Sequence, residues 1–234
     1  MEVKKEIQRE YDPAHPNFER WQSAREISEE RAKFVRDIIA NSLILKDLSI
    51  LDFGAGEGST SELLSQNNFV VSLEPKRERV KKIPVNDSLK PIMGDGSNLP
   101  FKNSVFDVII LQDVIEHLSI TEKFLSELNN ILKKDGIIYL STPNKLSFIN
   151  IISDPHWGMP FLCLFKRKQI KMFFLKYFRR SDYNRNDIAE LLSLNDLLNL
   201  FGHNFSVSFL LLTNLSFNSY FVSIHGVTNT GDRF

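Results

Sequence analysis

Ile50-Leu51-Asp52-Phe53-Gly54-Ala55-Gly56-Glu57-Gly58-Ser59-Thr60 is the stretch whose reading decides the fold. An apolar run ends in an acidic residue, three glycines follow at alternate positions, and Ser61-Glu62-Leu63-Leu64 continues in a helical pattern. The order is strand, glycine turn, helix N-terminus. Glycine has no side chain and tolerates positive φ, so such a turn lets a ligand lie against bare backbone. The helix start adds unpaired N–H groups beside it. A dinucleotide site would need G-x-G-x-x-G, but Ser59 stands where its third glycine belongs. A nucleotide-dependent oxidoreductase is disfavoured on that ground.

Working outward, short apolar runs alternate with helical patterns. Strands are predicted at 49–54, 69–73, 91–93, 106–111 and 137–140. Helices are predicted over 18–45, 59–67 and 119–134, with 75–83 a charged helix or turn. Lys133-Lys134-Asp135-Gly136 reads as a basic, glycine-capped helix end. Alternation of this kind implies a parallel sheet with helices on both faces. The runs 205–212 and 219–225 have only a turn around Asn214-Leu215-Ser216 between them, which predicts a terminal antiparallel hairpin.

A net charge of zero provides no global field toward nucleic acid. A single cysteine, Cys163, excludes an internal disulfide and is expected as a buried small apolar residue. The charged start, Met1-Glu2-Val3-Lys4-Lys5-Glu6, has no secretory h-region, and no apolar run reaches the ~18 residues of a spanning helix. A cytoplasmic protein is expected, with peripheral membrane contact left open by the insertion described below.

Three further blocks sharpen the reading. Asn98-Leu99-Pro100-Phe101 precedes Phe106-Asp107-Val108-Ile109. Asp113-Val114-Ile115-Glu116-His117-Leu118 follows strand four, and Ser141-Thr142-Pro143-Asn144 follows strand five. Together with Asp52-x-Gly54-x-Gly56-x-Gly58, these resemble the class I S-adenosylmethionine (SAM) dependent methyltransferases over about residues 48–145. They are similar to the subgroup that includes the O-methyltransferase of ubiquinone biosynthesis. The resemblance implies an α/β, Rossmann-like sheet in the order 3-2-1-4-5-7-6 with strand 7 antiparallel. It divides one methyltransferase domain into an N-terminal arm and helix (1–47), a SAM-binding core (48–145), a substrate-side insertion or lid (146–190) and a final helix with hairpin (191–234).

The resemblance also assigns cofactor contacts. The backbone of Gly54, Gly56 and Gly58 would approach the methionine end of SAM, with Asp52 and Ala55 also among the cofactor contacts. Glu74, 20 residues after Gly54, would take the ribose hydroxyls. Asp95 would take the adenine amino group, with Gly96 giving room, and Gln112 and Asp113 would lie beside the methyl group. The expected chemistry is methyl transfer to a hydroxyl of a small or lipid-linked acceptor (sugar, polyprenyl-linked glycan or quinone precursor). The rival is a SAM-binding sensor or partner subunit that transfers nothing. His117 and His156 are the candidate bases. Asp113, Glu116 and His117, spaced i, i+3, i+4, would share one face of a helical turn. There they could hold a divalent metal, position the loop or simply pack, and the catalytic reading takes no metal.

The insertion carries its own pattern. Between 166 and 185 stand eight basic residues and one acidic residue, a local net of 8 − 1 = +7 in a chain of zero total charge. Aromatic and aliphatic side chains interleave with them over 161–180. A lid with a solvated basic face, an interfacial segment on anionic lipid and a pocket for an anionic group all fit this pattern. RNA fits less well, because the patch is short and no RNA module accompanies it.

Overall fold

The computed structural model describes residues 13–96, 98–185, 187–202, 205–209 and 219–226. Seven strands form one sheet in the order β3-β2-β1-β4-β5-β7-β6. They are β1 Ser49–Phe53, β2 Phe69–Glu74, β3 Leu89–Met93, β4 Phe106–Gln112, β5 Leu132–Pro143, β6 Phe205–Phe209 and β7 Ser219–Gly226. β1 pairs parallel with β2 and β4, β2 with β3, and β4 with β5. β7 runs antiparallel to both β5 and β6. Order and directions agree with the topology that the resemblance implied. The hairpin turn at 214–216 lies outside the described residues.

Both faces of the sheet are covered, which is why its central strands are continuous apolar runs rather than alternating ones. Leu51, Ile109, Leu111, Ile138 and Leu140 pack on one face with Phe124, Leu125, Leu128 and Ile131 of the helix Glu122–Ile131 and with Leu197 and Phe201 of the helix Leu194–Phe201. Ile50, Val70, Val108, Ile110 and Ile137 pack on the other with Val35 and Ile39 of the helix Ser28–Ala40 and with Leu64. The Leu99-Pro100-Phe101 block serves this core: Leu99 and Phe101 pack against it, and the Phe101 and Phe106 rings meet edge to face at 5.0 Å.

Two local expectations are corrected. The helix expected over 18–45 is broken into Phe18–Glu26 and Ser28–Ala40, with Ile27 between them at φ −92°, ψ 9° and partly exposed rather than in the core. The helix expected to run to 134 stops at Ile131, and Lys133–Gly136 is not its cap. Leu132 is already extended and pairs with Phe106, and the ladder resumes at Ile137 opposite Val108. The four residues between form a bulge, from which Lys133 Nζ reaches Asp107 Oδ2 at 2.7 Å. Burial of Leu132 beneath the helix outweighs the local capping pattern.

The insertion has a small core of its own, made of Trp157, Ile170, Phe174, Leu175 and Ile188. It contains the helix Phe148–Ile152, a 3₁₀ turn Leu162–Leu164, and a helix that passes from Arg167–Gln169 through a π-helical stretch Ile170–Leu175 to Lys176–Phe178. Cys163 is free and buried, as expected.

Candidate functional site

In an open α/β sheet the ligand crevice lies beyond the carboxyl ends of the strands. Here those ends floor a cavity of about 780 Å³. Gly54 lines it after β1, Glu74 after β2, Asp95 after β3, and Gln112 and Asp113 after β4. Ala24 and Arg31 of the N-terminal helices, Ile27 between them, and Pro155, His156 and Trp157 of the insertion close the other sides.

The glycine turn is held by backbone bonds, with the N–H groups of Gly54 and Ala55 both donating to Leu73 O. Gly54 has φ +74° and lies hard against Val114, so it has no room for a side chain. Gly56 has φ +60° but faces open space, with nothing within 4 Å of where a Cβ would stand. Gly58 is the N-terminal cap residue of the helix Ser59–Leu64.

Asp52 lies behind the turn rather than on the cavity. It is buried and accepts from Ser61 Oγ at 2.6 Å, and Ser61 Oγ accepts in turn from Ser72 Oγ at 2.6 Å. Burial first, and then the charge of Glu74, push its carboxyl up to about 6. Ala55, Gly56, Gly58 and Gly96 are not among the cavity-lining residues, and Gly96 is packed against the Phe53 ring.

Glu74 is buried, yet it lines the cavity. Its Oε2 accepts from Gly56 N and its Oε1 from Lys76 N, both at 3.0 Å. Burial raises its pKa, with Arg79 opposing. A carboxylate has about four acceptor positions, so two remain. Gln112 Oε1 accepts from Thr60 Oγ1 at 2.8 Å, which ties the end of β4 to the helix after the glycine turn.

The Asp113-Val114-Ile115-Glu116-His117 block does not form one helical face. Asp113 sits at φ +53° before a 3₁₀ turn confined to Ile115–His117. Its carboxylate pairs with Arg31 and accepts from Ser141 Oγ. Glu116 turns inward, fully buried, and its Oε2 accepts from Thr142 Oγ1 at 3.0 Å. Burial, reinforced by the nearby Asp113, raises the pKa of its carboxyl well above the usual carboxylate range.

His117 is anchored by Nδ1 to Asp187 O at 3.1 Å. A carbonyl only accepts, so Nδ1 carries the proton and Nε2 keeps the free electron pair. Burial lowers its pKa. His156 comes from the insertion and meets His117 edge to face at 5.1 Å, with its Nε2 3.9 Å from Glu116 Oε1. Ligand atoms of Glu116, His117 and His156 lie within 4.8 Å of one another, a spacing that a divalent ion could bridge. Asp113, included in the sequence-based ligand set, is drawn away by Arg31 and Ser141, and His156 takes its place in the cluster.

Sequence reasoning missed three contributors. Arg31 stands on a helix whose polar face shows no local sign of a role. Tyr139 points from β5 into the cavity while looking like an ordinary core residue. Asp187 provides the carbonyl that orients His117. Burial works to raise its own carboxyl, but the hydrogen bonds and charge of Arg185 outweigh that and hold it well below the usual range. The Arg185-x-Asp187 spacing after the basic run was the one visible clue.

The family described as "Methyltransferase domain" matches residues 51–140. A ubiquinone biosynthesis O-methyltransferase of Pelagibacter ubique is 26% identical over 106 residues, which cover 43% of this chain and 44% of that protein. An uncharacterized protein of Methanocaldococcus jannaschii is 32% identical over 118 residues, which cover 48% and 45%. The chain thus spans less than half the length of these curated relatives. The crystal structure of a SAM-dependent methyltransferase from Aquifex aeolicus superposes with a TM-score of 0.59 at 16% identity, covering 82% of this chain and 89% of that one. Family match and fold agree: residues 51–140 match a methyltransferase domain, and the chain shares the fold of the solved SAM-dependent methyltransferase on which it superposes.

Proposed function

We propose that this protein transfers the methyl group of SAM to a hydroxyl of a small or lipid-linked acceptor. The observation that carries the reading is the content of one cavity. Gly54, the first residue of the glycine turn, and Glu74 line its floor, and His117 and His156 stand together at its wall. The residues suit SAM on their own chemistry. The space over Gly56 is open to a close backbone approach, and Glu74 keeps two acceptor positions for a pair of hydroxyls. Asp95 is exposed to the same space, where it can accept from an exocyclic amino group.

SAM supplies a methyl group on a positively charged sulfur, open to in-line attack. The protein's part is to orient the acceptor and exclude water. His117 Nε2, with its electron pair fixed by the Nδ1 bond to Asp187 O, takes the proton from the attacking hydroxyl. The name of the Pelagibacter relative supports oxygen as the acceptor atom.

The test is transfer of a labelled methyl group from SAM to phenolic and polyprenyl-linked hydroxyl acceptors. His117→Ala is expected to lower transfer by roughly 100-fold, the lower end of general-base effects, while SAM affinity by calorimetry stays within twofold. Transfer is expected to persist in excess chelator. Loss there, restored by Mg²⁺ or Zn²⁺, would reassign Glu116, His117 and His156 as metal ligands. SAM binding without transfer to any hydroxyl would leave a binding protein.

A further inference from the structure

We infer that the outer face of the insertion docks on an anionic lipid bilayer. The inference stands independently of the chemistry in the cavity. Two elements of the insertion carry the exposed apolar side chains. The helix Phe148–Ile152 leaves Phe148 75% exposed, with Ile149 and Ile152 also open. Next to it, Phe161 N donates to Ile151 O at 2.7 Å, and Phe161 itself is 59% exposed. The helix through Arg167–Phe178 buries Ile170, Phe174 and Leu175 and turns Phe173 and Phe178 outward, 61% and 76% exposed. Soluble monomers seldom leave this many large apolar side chains open in one segment, and exposed apolar surface on this scale marks an interaction surface. Phe161 is held at φ +64°, a backbone region unfavourable to a bulky side chain. Folding by itself would favour glycine or asparagine there.

Charge identifies the occupant. From Lys145 to Arg180 the one acidic residue is Asp154, which is buried and accepts from His156 N and Trp157 N. Not all the basic residues face outward. Arg167 donates to the carbonyls of Glu116 and Leu118, and Arg179 to Asn17 Oδ1 and Trp157 O, so both serve the fold. Lys166, Lys168, Lys176 and Arg180 remain exposed among the open aromatics. Protein–protein interface cores are depleted in lysine. A bilayer boundary accepts this mixture, with rings in the headgroup region and lysine stems carrying their charges to the phosphates. The inner side of the same segment presents His156 and Trp157 to the cavity, so docking would set the cavity wall against the membrane. No described helix is long and apolar enough to cross one.

The experiment is vesicle co-sedimentation of the full chain, with phosphatidylcholine alone and with phosphatidylglycerol added, at about 50 mM and about 500 mM salt. The expected result is binding to the anionic vesicles that falls at least tenfold at high salt, with little binding to phosphatidylcholine alone. The triple substitution K166Q/K168Q/K176Q should lower anionic-vesicle binding at least tenfold. So should Phe148→Ser combined with Phe161→Asn and Phe173→Ser. Both variants should keep the parent's SAM affinity, because every altered side chain is exposed; the lysine variant should keep its thermal midpoint, and the aromatic variant should match or exceed it, since asparagine suits the φ of +64° at position 161. Equal binding to both vesicle types, or binding to neither, overturns the inference. So does light scattering that shows a dimer dissociated by the aromatic substitutions in a protein that binds no vesicles, since the face would then belong to a second copy of the chain.

Discussion

At the scale of single residues, Glu74 ties the glycine turn to the end of β2 at the edge of the cavity. One carboxylate oxygen fixes Gly56 N and the other fixes Lys76 N. Glu74→Ala removes both acceptors as well as the two free positions. SAM affinity should fall by about 1.5–3 kcal/mol, the scale of hydrogen bonds to a charged group. Calorimetry showing less than a twofold change would reduce Glu74 to a turn residue. Gly56→Val should abolish SAM binding outright, because a branched side chain would occupy the open space and strain a backbone at φ +60°. Unchanged affinity in that variant would remove the glycine turn from the site.

Asp52 gives a pH-dependent counterpart. Its carboxyl is pushed from 3.8 up to about 6 in the folded protein, so the native state binds its proton more tightly than the unfolded state. Stability from this group is complete below the unfolded value. It is lost as pH rises from about 4 to about 6, and the loss then levels off near 3 kcal/mol. Asp52→Asn keeps an acceptor for Ser61 Oγ and removes the charge. Denaturant unfolding should therefore find the variant more stable than its parent at pH 7, with the difference shrinking toward pH 4. A difference independent of pH would contradict the assignment.

At the scale of elements, the helix Leu194–Phe201 shows how local chemistry and packing cooperate. Ser193 Oγ accepts from Asp196 N while Asp196 Oδ2 accepts from Ser193 N, a reciprocal cap that satisfies two donors at the helix start. Leu197 and Phe201 then bury against the sheet. Ser193→Ala should cost about 1 kcal/mol of stability, read as a lower unfolding midpoint with an unchanged denaturant slope. A loss of several kcal/mol would mean that Ser193 also holds the neighbouring chain near Asn144, which bridges to Leu192. The β5 bulge is the opposite case. There a basic, glycine-ended pattern written like a helix stop was overruled by the pairing of Leu132 with Phe106.

At the scale of the whole molecule, three separate parts of the chain close one cavity. The sheet provides the floor, the N-terminal helices one wall and the insertion another. A ligand filling it must tie these parts together. Saturation with SAM at about 100 times its dissociation constant should add about 2.7 kcal/mol of stability. Hydrogen exchange should slow at Gly54–Gly58 and Lys76, and also at the segments that carry Arg31 and His156. Protection confined to the glycine turn would show that the walls do not close on the cofactor.

Much of this was legible in the chain itself. The period of the apolar runs wrote the parallel strands, and the glycine spacing with Glu74 marked the ligand edge, because those signals live in short stretches where backbone conformation and side-chain chemistry are local. Sheet order came through the resemblance of the motif blocks. Other features depended on residues far apart in sequence. Arg31 reaches Asp113 across 82 positions and Asp187 anchors His117 across 70. No periodicity encodes such pairs, since each depends on which helix packs over which strand end. The same holds for Glu116, written as a ligand beside Asp113 but turned into the interior by the 3₁₀ turn. It holds too for His156, whose place beside His117 was decided by the packing of the insertion around Trp157. The sequence by itself determined the strands and the glycine turn at the edge of the cavity. Tertiary packing decided which side chains face one another across the cavity, because that depends on burial and closure summed over the whole chain.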